Sequence, residues 1–130
     1  MNADTNALNW FEIAVNDLDR ARKFYENIFQ VTLTPWEVPG EMTMKMAMFP
    51  AEGSNGTVGG ALVKSGMHTP SAAGTIVYLN ANPDLQPIVD RIGKTGGKVM
   101  MPKTLISEQT GYMAIFTDTE GNTVGLHSTH

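Results

Sequence analysis

Two side chains in this sequence combine reactive chemistry with a position inside a predicted β-strand, namely Glu12 and His127. A carboxyl group in an apolar cleft holds its proton more tightly, so Glu12 is a candidate general base. His127 is the only histidine in a predicted strand, where it could act as a base, bind an anion or ligate a metal with Glu12. Structural roles are the alternatives. Glu12 would then pair with a neighbouring donor or lie at an exposed strand edge, and His127 would be hydrogen-bonded near the chain end.

Three aromatic residues, Trp10, Trp36 and Tyr78, could stack on a planar ligand, although aromatic residues more often belong to the core. Lys103 could meet an acidic group of a ligand, or could simply be solvated as a lone lysine. Methionine occupies every second position from 42 to 48, which places four flexible side chains on one face of a strand. Such a stripe suits either an adaptable pocket or, as the sequence favours, core packing under a helix, and the alternation by itself leaves open which face of the sheet it occupies.

The residues that several other kinds of functional site require are absent from this sequence or lack the required spacing. The chain has no cysteine, which excludes a disulfide, a thiolate metal site and a thiol nucleophile. His68 and His130 have no metal-ligand spacing with another histidine, and the sequence indicates no role for either. No serine-centred triad is recognisable. The glycine-rich stretch at residues 55–60 leads into a strand instead of the helix that a phosphate loop requires.

Composition favours one compact globular domain. The chain has 130 residues, of which 42% are hydrophobic and 17% charged. A net charge of −4 argues against a nucleic-acid surface, which would need a basic patch. Residues 1–9 lack the apolar centre of a signal peptide, and no apolar run approaches the roughly 20 residues that span a bilayer. We therefore expect a cytoplasmic protein.

Hydrophobic periodicity predicts the same order of elements twice. The first half reads as a strand at 10–15, a helix at 18–28, and strands at 31–37, 42–49 and 58–63. The second half reads as a strand at 75–79, a helix at 85–93, and strands at 98–101, 112–117 and 123–127. Asp17 and Asp84 are the predicted helix N-caps, which puts Pro87 at the third helical position, where no intrahelical bond is lost. Residues 103–110 read as a loop.

Local sequence matches support a duplication. Met46-Ala-Met-Phe49 matches Met113-Ala-Ile-Phe116, and Thr57-Val-Gly59 matches Thr123-Val-Gly125 at nearly the same offset. The prediction is a single domain over residues 1–130. A first βαβββ module covers about 8–64, a linker covers 65–73, and a second module covers about 74–128. The fold class is α+β, a curved mixed sheet with helices on the outer face and a concave cleft for a ligand.

Three segments resemble the vicinal oxygen chelate superfamily, which contains glyoxalases, bleomycin-resistance proteins and extradiol dioxygenases. They are Val-Asn-Asp-Leu-Asp-Arg-Ala-Arg-Lys-Phe-Tyr at 15–25, the Asp-Leu helix start at 84–85, and Phe-Thr-Asp-Thr-Glu-Gly-Asn-Thr-Val-Gly-Leu at 116–126. The resemblance implies a divalent metal held by residues of the first and last strands of each module. The equivalent positions here are Trp10, Gly59, Ile76 and Gly125, none of which offers a side-chain ligand.

The resemblance therefore implies the scaffold without its metal. We expect no divalent metal or other cofactor, and the two glycines would leave room for a bulky ligand. The expected function is binding of a small, partly aromatic molecule, with Trp10, Trp36, Tyr78 and Lys103 in contact with it. The alternative is a glyoxalase-like lyase or isomerase with Glu12 and His127 as catalytic residues, with or without a metal. A third possibility is a module that uses the same surface for a partner. The resemblance also implies a homodimer, formed side by side or by exchange of modules.

Overall fold

The computed structural model describes residues 1–37, 44–52 and 56–130, and it shows two βαβββ modules in tandem. The first module consists of β1 (Trp10–Ala14), α1 (Leu18–Phe29), β2 (Thr34–Glu37), β3 (Lys45–Met48) and β4 (Gly59–Lys64). The second consists of β5 (Tyr78–Asn80), α2 (Gln86–Ile92), β6 (Lys98–Ser107), β7 (Gly111–Thr117) and β8 (Thr123–Ser128). The predicted order of elements and the α+β class are confirmed. Met42 and the turn predicted at residues 39–40 lie outside the described residues.

Each module has its own four-stranded mixed sheet. The strand order is β1-β4-β3-β2 in the first sheet and β5-β8-β7-β6 in the second, so the two sheets have the same topology. In both, the first and last strands of the module are parallel neighbours and the remaining pairs are antiparallel. Within the described ranges no strand of one sheet pairs with a strand of the other. The modules thus form two open sheets instead of one continuous hydrogen-bonded sheet.

Strand lengths differ from the sequence prediction at two places in the second module. β6 runs through the predicted loop as far as Ser107, pairing with β7 across three register shifts. Pro102 falls inside it and is tolerated, because β6 is an edge strand and a missing backbone amide there breaks no ladder. β5 begins at Tyr78, three residues later than predicted.

The helix caps follow the sequence closely. Asp17 caps α1, with its carboxylate accepting from the Arg20 amide at 3.0 Å. Asp84 also accepts an amide hydrogen bond at 2.9 Å, but from Gln86, so Leu85 takes the cap position and the predicted cap lies one residue too early. Pro87 consequently lies in the first turn of α2, where its missing amide leaves no hydrogen bond unmade.

One hydrophobic core lies against the helices and joins the modules. The buried face of α1 consists of Ala21, Phe24, Tyr25 and Ile28, as its periodicity predicts. The Phe24 ring lies 6.0 Å from the Phe116 ring of the second module, which makes this core continuous between them. No helix among the described residues is both long and apolar enough to cross a membrane.

The methionine stripe lies on the other side of the first sheet. Met44 and Met46 are buried in a small separate cluster with Ala61 and Val63, and Met48 packs against it. Ala47, between them in sequence, faces the main core instead. Met44 and Met46 are thus core residues, as the sequence favours, but they belong to a cluster separate from the one that contains the α1 residues. We call this surface, which faces away from the helices, the open face of the first sheet.

The turn between β7 and β8 fastens the second module to the start of α1. A Glu120 carboxylate oxygen accepts from the Asn16 and Asp17 amides at 2.9 and 2.7 Å, and the other accepts from Arg20 Nε at 2.7 Å. Burial by itself would raise the pKa of Glu120, but these hydrogen bonds outweigh it and hold that pKa below its usual value. The buried Tyr25 hydroxyl donates to Asp118 at 2.8 Å, and burial together with that carboxylate raises the pKa of Tyr25 well above its usual range.

Candidate ligand site on the open face of the first sheet

Strand register determines which side chains share the open face. Ile13 points into the core, so its neighbours Trp10, Glu12 and Ala14, at alternate positions, point to the open face. Across the sheet, one row of opposed residues runs from Glu12 through Ala61 and Met48 to Thr34. The next row runs from Ala14 through Val63 and Met46 to Trp36. The open face therefore has a carboxylate at one edge, an apolar floor and an indole at the other edge.

Glu12 is held by two neighbours on this face. Trp10 Nε1 donates to one carboxylate oxygen at 3.2 Å, and His68 Nε2 lies 2.6 Å from the other. His68 Nδ1 in turn lies 2.7 Å from Ser65 Oγ. The sequence indicated no role for His68 and no serine-centred triad, yet the linker brings these three side chains into one chain of hydrogen bonds. The only local signal was the three-residue spacing of Ser65 and His68 directly after β4.

At the positions where the resemblance implies metal ligands, each module has an aromatic residue on its first strand and a glycine opposite it on its last strand. In the first module Trp10 is opposite Gly59, and in the second Tyr78 is opposite Gly125. Ile76 was the expected counterpart of Trp10. Tyr78, two residues later in the sequence, takes this position instead, because β5 starts there. A Cβ atom added to Gly59 would lie 3.2 Å from the Trp10 ring, and one added to Gly125 would lie 2.4 Å from the Tyr78 ring. The space that the glycines were expected to leave is occupied by these rings.

The three predicted aromatic contacts are all exposed. Trp10, Trp36 and Tyr78 are 44%, 46% and 47% accessible, so none of them belongs to the hydrophobic core. Trp10 and Trp36 lie on the first sheet, whereas Tyr78 lies on the second. Exposed indole rings beside an apolar floor present the flat, polarisable surface on which planar ligands stack. The first sheet alone supplies two such rings.

His127 and Lys103 lie on the second sheet, whereas Glu12 lies on the first. His127, in β8, donates from Nε2 to the Thr110 carbonyl at 2.7 Å, so its ring is held by the neighbouring hairpin. Lys103 lies in β6 and not in a loop. Its ammonium group donates to Asp84 at 2.8 Å and lies 4.5 Å from the centre of the Tyr112 ring. This hydrogen bond from the ammonium group lowers the pKa of Asp84, and Lys103 is therefore not the lone solvated lysine of the alternative.

The donor set at the four positions does not fit a divalent metal. Of Trp10, Gly59, Tyr78 and Gly125, only the tyrosine carries a side-chain oxygen that can ligate. Across the described part of the chain, no three His, Asp or Glu side chains come together as a metal-binding group. We derive no step through a metal at these positions, and the expectation of a metal-free protein stays a prediction.

A groove of about 790 Å³ opens elsewhere, lined by residues of both modules, including Tyr78. Its apolar lining includes Phe11, Phe49, Val77 and Leu79. The Phe11 and Phe49 rings contact each other with centroids 5.5 Å apart. The groove does not include the Glu12–His68 pair and is a separate feature of the surface.

Paired βαβββ modules with parallel first and last strands define a class of protein built on one duplicated unit. Residues 7–126 match the Glyoxalase/Bleomycin resistance protein/Dioxygenase superfamily, and the chain belongs to this family. The fold and the family expected from the sequence are thereby confirmed. This membership fixes the scaffold, whereas specificity depends on the residues placed upon it.

Relatives and solved structures agree with this assignment. The chain is 30% identical over 120 residues to a putative glyoxylase, CFP32, of Mycobacterium bovis, covering 91% of this chain and 44% of that protein. It is 29% identical to a glyoxylase-like domain-containing protein of Didymella fabae, covering 89% and 88%. A glyoxalase/bleomycin resistance protein from Streptomyces sp. CB03234 superposes with a TM-score of 0.65 at 22% identity, covering 94% of this chain and all of that one. Glyoxalase I from Zea mays gives 0.67 at 20% identity, covering 93% and 44%. The chain thus spans less than half of the mycobacterial relative.

Proposed function

We propose that this protein binds a small, partly aromatic organic molecule on the open face of the first sheet, without a metal at the four family positions. The observation that carries the proposal is the pair of exposed indole rings, Trp10 and Trp36, on one face with the partly exposed Met48 near them. Stacking on the rings supplies apolar contact, and the flexible Met48 side chain adapts to ligands of different outline.

Glu12 gives this face a preference among planar molecules. Its carboxylate accepts hydrogen bonds from Trp10 and lies against His68, and its side chain is one-third exposed. A ligand that carries an N–H donor or a positive charge next to its ring gains a charge-assisted hydrogen bond there. Ligands of this class are therefore expected to bind more tightly than neutral or anionic molecules of the same shape.

A second candidate is a glyoxalase-like lyase or isomerase with Glu12 as general base. The close Glu12–His68 contact favours it, because a carboxylate and an imidazole 2.6 Å apart can pass a proton between them. The reaction would be proton abstraction next to a carbonyl group. The relative from Mycobacterium bovis is itself described as a putative glyoxylase.

Tryptophan fluorescence tests the binding proposal directly, because the chain contains two tryptophans and both lie on this face. Titration with a panel of planar aromatic amines should quench the emission with saturation. Trp36→Ala should weaken binding about tenfold, since stacking of a planar ring on an aromatic side chain contributes roughly 1–3 kcal/mol by alanine substitution. Leu105→Ala is the matched control, since Leu105 is an exposed apolar residue on the second sheet. Equal affinities in both variants would contradict the proposal.

Two further measurements separate the candidates. Metal analysis after dialysis against zinc or nickel should find less than one ion per chain, and one bound ion lost on Glu12→Ala would overturn the metal-free proposal. Turnover of a hemithioacetal of an α-oxoaldehyde, abolished by Glu12→Gln but not by Lys64→Gln, would favour the lyase.

We further expect the protein to act in the cytoplasm as a homodimer, on the basis of its composition and family resemblance.

A further inference from the structure

The linker after β4 completes a serine–histidine–carboxylate arrangement. Ser65 Oγ lies 2.7 Å from His68 Nδ1, and His68 Nε2 lies 2.6 Å from Glu12 Oε2. The second oxygen of Glu12 accepts from Trp10 Nε1 at 3.2 Å, which fixes the carboxylate in place. The His68 side chain is 17% exposed, so the imidazole is shielded between its two partners.

The neighbouring backbone favours one direction for these hydrogen bonds. Ser65 Oγ accepts from the Met67 amide at 3.0 Å, which leaves its own proton to be donated to His68 Nδ1. His68 Nε2–H then donates to Glu12. A hydroxyl on one imidazole nitrogen and a carboxylate on the other are the roles of nucleophile, base and orienting group in acyl-transfer enzymes.

Ser65 is also placed where a ligand can reach it. It continues the alternation of Ala61 and Val63, the β4 residues that face the open side of the first sheet. Beside it, a Cβ atom added to Gly66 would meet nothing within 4 Å, so the space next to the hydroxyl is open. Over residues 1–37, 44–52 and 56–130, no acceptor for the Gly66 amide is found. The amide that follows a nucleophile is a common oxyanion donor.

We propose that Ser65 is a nucleophile, activated by His68 and Glu12, for acyl transfer from small carboxylic esters to water. Ser65 Oγ forms a bond to the ester carbonyl carbon while its proton passes to His68 Nδ1. The carbon–oxygen bond to the alcohol breaks, and the leaving alkoxide takes that proton. Water then attacks the acyl-serine, gives its proton to His68, and releases the carboxylic acid as Ser65 regains its proton. This activity shares Glu12 with the proposed ligand site but does not require stacking on the indole rings.

Ser71 provides an internal control. Its hydroxyl accepts from the amide two residues ahead, that of Ala73, at 3.0 Å, as Ser65 does from Met67. The two serines share the same turn type and both lie in the linker, but the only described partner of the Ser71 hydroxyl is that amide. Ser71 is the more exposed of the two, so a higher reactivity of Ser65 that His68→Gln abolishes reports on the imidazole.

Fluorophosphonate labelling is the first test. The probe phosphorus bonds to the serine oxygen as fluoride leaves, so intact mass and peptide mapping count and locate the product. One label per chain at Ser65 is expected, retained in Ser71→Ala and slowed at least about tenfold in His68→Gln and Glu12→Gln, because a general base contributes about 10²–10⁴. Equal labelling of both serines, or labelling of Ser65 that His68→Gln does not slow, overturns the proposal.

A thiol variant keeps the proposal falsifiable if the hydroxyl is too unreactive to label. The chain has no cysteine, so Ser65→Cys and Ser71→Cys each introduce one thiol. Iodoacetamide should alkylate Ser65→Cys about tenfold faster than Ser71→Cys at pH 7, and His68→Gln should remove the difference. Equal rates in folded variants would show that the arrangement only holds the linker. Neither test depends on tryptophan fluorescence, so failure here leaves the binding proposal standing.

Discussion

Replacing Glu120 by alanine should release the second module from the start of α1. Its carboxylate is fully buried and accepts the Asn16 and Asp17 amides, which have no other described acceptor. A hydrogen bond to a charged group contributes about 1.5 kcal/mol or more, so losing both costs about 3 kcal/mol of unfolding free energy. The Arg20 ion pair adds little, because its guanidinium is 53% exposed and is screened by solvent.

This loss converts into a measurable shift of the melting temperature. With an unfolding entropy of roughly 2.1 cal/mol/K per residue, 130 residues give about 0.27 kcal/mol per degree, so Glu120→Ala should melt about 11 °C lower. Differential scanning calorimetry measures this directly. Glu108→Ala is the matched control, because Glu108 is an exposed carboxylate on the β6–β7 turn. If both variants melt within about 2 °C of the native chain, the buried carboxylate does not hold the modules together.

The same residue sets a pH dependence of stability. The pKa of Glu120 is lower in the folded chain than its ordinary value of 4.5, so the unfolded chain binds the proton more tightly. Its contribution is therefore complete above about pH 4.5 and is lost as the pH falls through the folded pKa. Glu120→Gln keeps the side-chain shape but cannot titrate. The stability gap between the native chain and this variant should shrink on acidification from pH 6, and a constant gap would refute the assignment.

Three further predictions concern other parts of the fold. Tyr25→Phe removes the buried donor to Asp118 and should cost about 1.5–3 kcal/mol in guanidinium unfolding, and a loss below roughly 0.5 kcal/mol would contradict this. Gly125→Ala places a Cβ atom 2.4 Å from the Tyr78 ring and should lower the melting temperature, with Tyr78→Ala in the same chain recovering part of the loss. Light scattering at tens of micromolar should give a mass near twice 14.1 kDa, and a monomer would count against the homodimer.

Elements with a strong local pattern were predictable from the sequence. The helix α1 has a cap at Asp17 and one apolar face, and the structure places it within one residue of the predicted end. The β7–β8 hairpin carries its turn chemistry at residues 118–122, and both strands lie where the sequence predicted. Where cap, periodicity and turn residues agree, local sequence suffices.

Features that depend on a distant partner were not predictable. The extension of β6 to Ser107 depends on its pairing with β7, and the side of the sheet taken by Met46 depends on where α1 packs. The contact between His68 and Glu12 joins residues 56 apart, and one of them lies in a linker without periodicity. The alternation of residues along β1 predicted the face on which Glu12 lies. It could not predict His68 as its hydrogen-bond partner, because only the parallel pairing of β1 with β4 brings the two residues near each other.

The contacts of Glu120 also determine the order in which the chain can fold. They join it to Asn16 and Arg20 across 104 and 100 residues, so they form only after the second module has been synthesised. Closing so long a loop costs more conformational entropy than forming a short-range contact. This cost slows the step in which the two modules dock. A ribosome-bound chain that has completed only the first sheet therefore exposes the Asn16 and Asp17 amides without their Glu120 acceptor. The β7–β8 hairpin supplies this acceptor later and so ties the second module to the first helix.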